Sequence, residues 1–397
     1  PIENTNLQPN WEERIDDFDQ MELKPDLLHG IYSYGFKVPS DIQALAIKPI
    51  KQGRNVIAQA QSGTGKTGAF SIGILENINT DEKLTQAIVL TPTHELADQT
   101  YTFFSSIGNR MNGLTIAEFI GGSPKEENQK QAQEHPHVVV ATPGRALDLI
   151  KNGYLRCENL KVACLDEADL LLEQNFLSQT QEIFEYFQQN IQILLFSATI
   201  PEPIFTLMTN FMQDPVKILV KPERLTLEGI RQFYVNVEQE KYKFPTLLDI
   251  YGQLSIQKAV IFANRKETVD FLQKEFQAAN FEVSAIHAGL TQVERQRVMH
   301  EFRCGNSRVL AATDIIARGI DVQQITLVIN FETPLSIENY LHRIGRSGRY
   351  GREGVAINIC SASEMQTIEQ IKRVYHTTID ELPENFAEIL EQANSTV

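Results

Sequence analysis

Short apolar runs alternate with longer amphipathic stretches along the whole chain, and this alternation limits the possible folds more than any other feature. The runs are NVIAQA, AIVLTP, HVVVATP, VACLDEA and QILLFSAT in the first half, and KAVIFAN, VSAIHA, RVLAAT, TLVINF and VAINIC in the second. Strands that alternate with helices favour parallel sheets with crossover helices. The sequence therefore predicts an α/β protein in which helices flank mostly parallel sheets.

The chain has 397 residues, which is more than a single hydrophobic core usually serves. The series of apolar runs pauses at ILVKPERLTLEGIRQFYVNV, a stretch with little helical pattern. We therefore predict an N-terminal domain over residues 1–219, a short linker over 220–231 and a C-terminal domain over 232–397.

Composition limits the classes of protein and partner. The polar, acidic first residues and the lack of long apolar runs argue against a secretory signal and a membrane span, so we expect an intracellular protein. The cysteines form no CxxC pair, which favours reduced packing residues over a disulfide framework or a zinc site; they are Cys157, Cys164, Cys304 and Cys360. With a formal net charge of -15, any nucleic-acid contact must come from local groups.

The segment AQAQSGTGKTGAF, residues 58–70, follows an apolar run and opens a helical stretch, as a phosphate-binding loop does. Backbone N–H groups of such a loop point at phosphate oxygens, and we assign them to Ser62, Gly63, Thr64 and Gly65. Lys66 would reach the β and γ phosphates, and Thr67 would bind magnesium. Ala60 replaces the first glycine of the usual pattern, so taken alone the segment could also be a glycine-rich turn.

The second segment with candidate catalytic residues is VACLDEADLLL, where an apolar run ends in Asp166, Glu167 and Asp169. Beside a phosphate loop, Asp166 suits a magnesium ligand acting largely through water, and Glu167 suits a base that orients the attacking water. Alone, the triplet would be a solvated loop. Together with the phosphate loop it predicts a nucleotide hydrolysis site.

These motifs resemble those of the DEAD-box RNA helicases, whose naming tetrad corresponds to residues 166–169 here. The resemblance implies two RecA-like domains joined by a short linker, with ATP and magnesium as cofactors. GFKVPSDIQ resembles the family's adenine-sensing Q motif, with Gln43 on the adenine edge and Phe36 stacked on the base, while Phe18 matches its isolated upstream aromatic.

Further family motifs in the first half imply coupling and RNA contacts. FSAT places Ser197 and Thr199 to hydrogen-bond the tetrad, including Asp169, and so to couple hydrolysis to domain movement. RNA contacts are implied mostly to phosphate, at Pro92, His94, Gly122, Thr142, Gly144 and Arg145. The family usually has arginine at the position of His94, so we expect weaker RNA affinity here, because a neutral imidazole supplies no full charge.

The second half carries the remaining family motifs. The resemblance implies RNA contacts at Asn264, Arg265, Arg295 and Thr313, interdomain contacts at Asp314 and Arg318, and a ribose contact at Asp321. In HRIGRSGRYGREG, it implies that Arg346 and Arg349 neutralise the γ phosphate as arginine fingers, and that His342 and Arg343 link the nucleotide to the tetrad. As an isolated segment, this stretch could equally be a solvated basic face or an RNA-binding strip.

The resemblance implies an RNA-dependent ATPase that closes over ATP and RNA and unwinds short duplexes. Within the family, the chain is most similar to the translation initiation factor four-A group, which implies a cytoplasmic monomer clamped by a scaffold protein. One alternative is a nuclear RNA clamp of the exon-junction type. Another is a P-loop ATPase that remodels proteins or DNA, against which the Q motif and the tetrad argue.

Overall fold

The structure, a computed structural model, describes residues 9–60, 63–172, 174–200, 205, 211–219, 230–252, 258–314, 325–345, 347 and 354–389. The chain divides into two compact units, residues 1–220 and 221–397. No helix in these described ranges has both the length and the apolar character needed to cross a membrane.

Unit 1 contains a seven-stranded parallel sheet with strand order β3-β4-β2-β5-β6-β1-β7. Its strands are β1 (Val56–Gln59), β2 (Ala87–Leu90), β3 (Ile116–Phe119), β4 (Val138–Ala141), β5 (Val162–Asp166), β6 (Gln192–Ser197) and β7 (Val216–Leu219). Its helices are α1 (Pro25–Tyr34), α2 (Asp41–Lys51), α3 (Lys66–Asn77), α4 (His94–Ile107), α5 (Lys125–Gln133), α6 (Pro143–Lys151), α7 (Ala168–Leu171) and α8 (Gln174–Glu185), with a 3-10 turn at Phe18–Met21.

Helices cover both faces of this sheet, which is why its central strands are almost continuously apolar. Val56 and Ala58 of β1 pack with Phe70 and Phe104 on one face, whereas Ile57 packs on the other face with α6 and α8. The edge strand β7 is covered by the N-terminal segment, where the Asn10 N–H donates to the Lys217 carbonyl at 3.3 Å. The opposite edge strand is β3.

Unit 2 repeats the architecture with seven parallel strands in the order β10-β11-β9-β12-β13-β8-β14. The strands are β8 (Ile230–Glu238), β9 (Ala259–Ala263), β10 (Ser284–Ile286), β11 (Val309–Thr313), β12 (Leu327–Asn330), β13 (Gly354–Ser361) and β14 (Asp380–Glu381). The helices are α9 (Lys243–Gly252), α10 (Lys266–Ala278), α11 (Gln292–Cys304), α12 (Ile337–Ile344) and α13 (Met365–Tyr375), with a 3-10 turn at Glu240–Tyr242.

The predicted α/β class and parallel sheets are confirmed, and each of the ten apolar runs forms a strand. Four strands were not predicted: β3, β7, β8 and β14. Within the predicted linker, residues 220–229 lie outside the described residues, whereas Ile230 and Arg231 belong to β8. Three cysteines are buried packing residues, but Cys304 is exposed, so the packing prediction is wrong at that position.

Candidate active site

The phosphate loop connects β1 to α3, as the sequence predicts. Gly63 and Gly65 have φ angles of 84° and 102°, a left-handed conformation that a residue with a Cβ adopts only with strain. A Cβ on Gly65 would also lie 2.6 Å from the Ser40 hydroxyl oxygen. Because α3 begins at Lys66, the loop directs a helix N-terminus at the site, which favours phosphate binding.

Gln43 joins the Q motif to this loop. Its side chain is buried; Oε1 accepts a hydrogen bond from the Ser40 N–H at 2.9 Å, and Nε2 donates to the Gly65 carbonyl at 3.3 Å. An amide has further hydrogen-bonding capacity at both ends, so an adenine contact at Gln43 stays a prediction. Phe36 stacks on Phe18, with ring centroids 6.2 Å apart.

The acidic tetrad lies beside the loop, because β5 and β1 both pair with β6. Glu167 has a φ of 50°, and this left-handed turn follows directly on the strand residue Asp166. The Asp166 Oδ1 accepts a hydrogen bond from the Glu167 N–H at 3.0 Å. The Lys66 Nζ lies 3.3 Å from the Glu167 Oε1, and both of these side chains are buried. The structure therefore brings together three of the five residues predicted to carry hydrolysis, namely Lys66, Asp166 and Glu167.

Burial raises the pKa of Asp166 to about 7; the charge of Lys66 opposes this rise and the charge of Glu167 adds to it. A carboxylate desolvated in this way is stabilised by a cation. The half-buried Thr67 stands at the start of α3 and offers a hydroxyl from the loop side. Carboxylate and hydroxyl oxygens are ligands that magnesium prefers, so Asp166 and Thr67 fit a magnesium ion.

The Ser–Ala–Thr segment at the end of β6 holds the tetrad in place. The Thr199 hydroxyl donates to the Asp169 Oδ2 at 2.7 Å, and the Ser197 hydroxyl accepts from the Asp169 N–H at 3.3 Å. All three residues are buried. Any shift of this segment would therefore disturb the tetrad directly.

The residues of unit 1 that are predicted to contact RNA differ in their exposure to solvent. Gly144 is exposed, whereas Pro92 and Thr142 are buried. A Cβ on Gly121 would lie 3.2 Å from the His94 Nε2, so the imidazole packs against the Gly121–Gly122 turn.

Arg145 is buried inside unit 1. Its guanidinium donates to the Asn128 side chain and, at 2.9 Å, to the Ser123 carbonyl. Arg145 therefore stabilises the turn that follows Gly122. Its contact with an RNA phosphate stays a prediction.

In unit 2, Arg343 is the centre of a buried polar cluster. Its guanidinium donates to both carboxylate oxygens of Asp314, at 2.5 and 2.9 Å, and to the Asn264 Oδ1 at 2.6 Å. It also donates to the Asn330 Oδ1 at 3.2 Å and to the Glu332 carbonyl at 2.7 Å. These partners lie at or just beyond the carboxyl ends of β9, β11 and β12. Arg343 therefore joins three neighbouring strands, a role that the sequence analysis missed.

The remaining predicted site residues of unit 2 range from exposed to buried, and some lie outside the described residues. Arg265 is well exposed and lies 3.7 Å from the Glu332 carboxylate. Arg295 and Thr313 are half-buried, and His342 is buried. Several predicted site residues lie outside the described residues, namely Arg318, Asp321, Arg346 and Arg349, together with Ser62 of the phosphate loop.

The cluster around Arg343 continues through the core of unit 2 as a chain of hydrogen bonds. The Asn330 Nδ2 donates to the Asn358 Oδ1 at 2.8 Å, and the Asn358 Nδ2 donates to the Tyr340 hydroxyl oxygen at 3.3 Å. The Tyr340 hydroxyl donates to Gln232 at 2.9 Å, and Gln232 donates to the Thr377 hydroxyl at 2.9 Å. This series of hydrogen bonds runs from the carboxyl ends of the strands to the residue Thr377, just after α13.

The phosphate loop, the tetrad and the Ser–Ala–Thr segment meet at the carboxyl ends of adjacent parallel strands, where open α/β sheets bind ligands. A second parallel sheet of the same size follows in the chain. This combination defines a P-loop nucleotide-binding protein with two RecA-like units. The chain belongs to the DEAD-box family of ATP-dependent RNA helicases, because a family model described as DEAD/DEAH box helicase matches residues 40–207 and one described as helicase conserved C-terminal domain matches residues 242–351.

Relatives and solved structures agree with this assignment. The chain is 49% identical over 389 residues to a protein of Neosartorya fischeri named ATP-dependent RNA helicase eIF4A, covering 98% of both chains. A protein of the same name from Neurospora crassa is 48% identical, again over 98% of both. The structure of S. cerevisiae Dbp5 bound to RNA and ADP BeF3 is similar with a TM-score of 0.90 and 32% identity, covering 96% of this chain and 99% of that one. The resemblance inferred from the motifs is confirmed.

Proposed function

We propose that this protein is an RNA-stimulated ATPase that locally unwinds RNA duplexes during translation initiation. The observation that carries the proposal is the buried contact between Lys66 and Glu167 beside Asp166, since it unites the phosphate-binding and water-activating groups of one hydrolysis site. The role in initiation is supported by relatives named eIF4A that match over 98% of their length.

In this mechanism, a nucleotide phosphate competes with Glu167 for the Lys66 ammonium. The two side chains lie 3.3 Å apart, so phosphate oxygens that bind Lys66 weaken its hold on the Glu167 carboxylate. Glu167 then accepts a hydrogen bond from the attacking water and orients it. Asp166 and Thr67 would hold a magnesium ion, largely through water, and the ion would neutralise phosphate charge.

RNA enters the mechanism through the family motifs of both units. We propose that the units close over ATP and single-stranded RNA, that Arg346 and Arg349 complete the hydrolysis site on closure, and that a bent RNA path excludes the second strand. The hydrogen bonds that join Asp169 to Ser197 and Thr199 transmit this closure to the tetrad. Stimulation by RNA follows, because RNA and ATP favour the same closed state.

The proposal extends to the setting in which the protein works. As the motif resemblance implies, we propose that it acts in the cytoplasm as a monomer that a scaffold protein holds across both units. RNA binding is sequence-tolerant, since the predicted contacts are mostly to the phosphate backbone.

The test compares steady-state ATPase rates without nucleic acid, with single-stranded RNA and with DNA of the same sequence. We expect RNA to stimulate the rate and DNA to have little effect. Glu167→Gln should lower the RNA-stimulated rate by about 100-fold or more while ATP still binds, because Lys66 is retained. Glu158→Gln, at an exposed carboxylate that precedes β5 whereas the tetrad follows the end of that strand, is the matched control and should leave the rate unchanged.

A strand-displacement assay with a short RNA duplex then tests unwinding. Equal stimulation by DNA, or a Glu167→Gln variant with the full rate, would contradict the assignment. Stable ATP-dependent retention of RNA with very slow turnover, and no displacement of the duplex, would favour the RNA-clamp alternative instead.

A further inference from the structure

A cavity lies along the open edge of the unit 1 sheet, between α4 on one side and α5 on the other. Its volume is about 700 Å³, and we call it the edge groove. It is lined, among others, by Tyr101, Ser105, Ile116, Glu118, Glu127 and Gln131. None of the predicted nucleotide- or RNA-binding residues lines it, so the hydrolysis site does not account for the edge groove.

The floor of the edge groove is strand β3, whose outer backbone groups are available for pairing. The carbonyls of Thr115 and Phe119 face β4, because they accept hydrogen bonds from the N–H groups of His137 at 2.9 Å and Thr142 at 3.1 Å. Backbone groups alternate in direction along a strand, so those of Ile116 and Glu118 face the groove. β3 is the terminal strand of the sheet, and no described segment pairs with its outer side.

The Glu118 side chain adds a specific electrostatic feature. Its Oε1 is shielded from solvent and has no hydrogen-bond partner among the described residues. Burial raises the pKa of Glu118 to about 7, and the charge of Asp98 on α4 adds to the rise. A cationic group beside this carboxylate would supply the missing hydrogen bond and offset both effects.

The other charges of the groove favour the same kind of ligand. Glu127 and Glu134 also line it, so acidic groups of β3, α5 and the segment after α5 face one space, with Asp98 nearby. This field repels an RNA backbone and attracts lysine or arginine. The unpaired backbone N–H and C=O groups at the outer edge of β3, in turn, can form main-chain hydrogen bonds with an extended peptide.

We propose that the edge groove binds an extended basic segment of a partner protein, which adds a strand to β3 and places a lysine or arginine against Glu118. The backbone groups of Ile116 and Glu118 provide affinity, and the carboxylates provide selectivity for a basic sequence. None of the residues predicted to carry hydrolysis lines this surface, so we expect a partner to bind it without changing the ATPase rate.

The test measures binding of fluorescein-labelled peptides to the full chain by fluorescence anisotropy. The probe is an extended peptide, Thr-Val-Thr-Lys-Val-Thr-Val, compared with versions in which glutamate or proline replaces the lysine. We expect the lysine peptide to bind and both replacements to weaken binding at least about tenfold. Glutamate replaces the positive charge with a negative one, and proline removes both the charge and a backbone N–H that would pair with β3.

The variants locate the site. Glu118→Gln should weaken binding of the lysine peptide about fivefold or more and leave the ATPase rate unchanged, whereas the exposed-surface control Glu158→Gln should change neither. Equal binding of the three peptides, or full affinity in Glu118→Gln, would overturn the proposal. So would a concentration-dependent dimer in sedimentation that Glu118→Gln alone disrupts, since the groove would then serve self-association.

Discussion

Replacing Arg343 with methionine should destabilise unit 2 far more than an ordinary surface substitution would. The fully buried guanidinium makes five hydrogen bonds, two of them to the Asp314 carboxylate, whose side chain is only 18% exposed. Removing one partner of a buried ion pair leaves an uncompensated charge and typically costs about 3–5 kcal/mol. With a urea m-value of about 2 kcal/mol/M, a loss of about 4 kcal/mol lowers the unfolding midpoint by about 2 M.

The chain offers a way to assign this loss to the correct unit. Its single tryptophan, Trp11, packs partly buried against the core of unit 1. Tryptophan fluorescence therefore reports the unfolding of unit 1, while far-ultraviolet circular dichroism reports both units. In Arg343→Met we expect an early transition in circular dichroism and an unchanged transition in fluorescence.

Two further variants complete the experiment. Arg303→Met, at an exposed arginine near the end of α11, should shift the midpoint by less than about 0.3 M. Combining Arg343→Met with Asp314→Asn should cost less than the sum of the single changes by about 1–3 kcal/mol, since the unpaired charge is gone. An Arg343→Met variant that unfolds like Arg303→Met, or a fluorescence transition that shifts as far as the circular dichroism transition, would contradict this expectation.

Three other substitutions or measurements test the site and the core. Gly68→Ala should weaken ATP binding about tenfold in a fluorescent-nucleotide titration, because its Cβ would lie 2.4 Å from the Gln43 Nε2. Gly252→Ala is the control and should not weaken it, because no atom of the described residues lies within 4 Å of its Cβ. Thr199→Val should lower the free energy of unfolding of unit 1 by about 1–3 kcal/mol, because the buried Asp169 carboxylate loses a hydrogen-bond donor. Tryptophan fluorescence measures this change, and an unchanged unfolding midpoint would contradict it. At pH 8 a thiol reagent should label Cys304 rapidly and the three buried cysteines only after unfolding, and rapid labelling of all four would contradict the structure.

The strands that the sequence predicts are those buried on both faces. A strand such as β2 has four buried residues in succession, so its apolar run is visible without knowledge of its neighbours. The missed strands carry weaker patterns: β3 alternates half-buried and buried residues, and β14 has only two residues, both exposed. Their pairing depends on the neighbouring strand, which a local pattern does not reveal.

For the hydrolysis site, sequence motifs located the residues but not all of their contacts. The spacing of Ser40 and Gln43 is that of a helix capping box, and this local signal could have predicted the hydrogen bond between them. The cluster around Arg343 has no such signal. Its partner Asn264 is 79 residues away in sequence, and the contact exists only because the sheet brings the ends of β9, β11 and β12 together.

The pair formed by Asn330 and Asn358 also favours one alignment of β12 with β13, the register in which these two residues are opposite each other. Their runs, TLVINF and VAINIC, are so uniformly apolar that a slip of two residues would still bury hydrophobic side chains on both faces. In the observed register the two asparagines lie side by side and bond to each other at 2.8 Å, with neither exposed to water.

A slipped alignment would break the bond between these two amides and leave the buried Asn330 Nδ2 and Asn358 Oδ1 without a partner, at a cost of about 1–3 kcal/mol each. The hydrogen bonds that run from Arg343 to Thr377 thus favour the observed register of β12 and β13 over a slipped one. Buried polar pairs of this kind give a uniformly apolar sheet one register that is lower in free energy than the registers slipped by two residues.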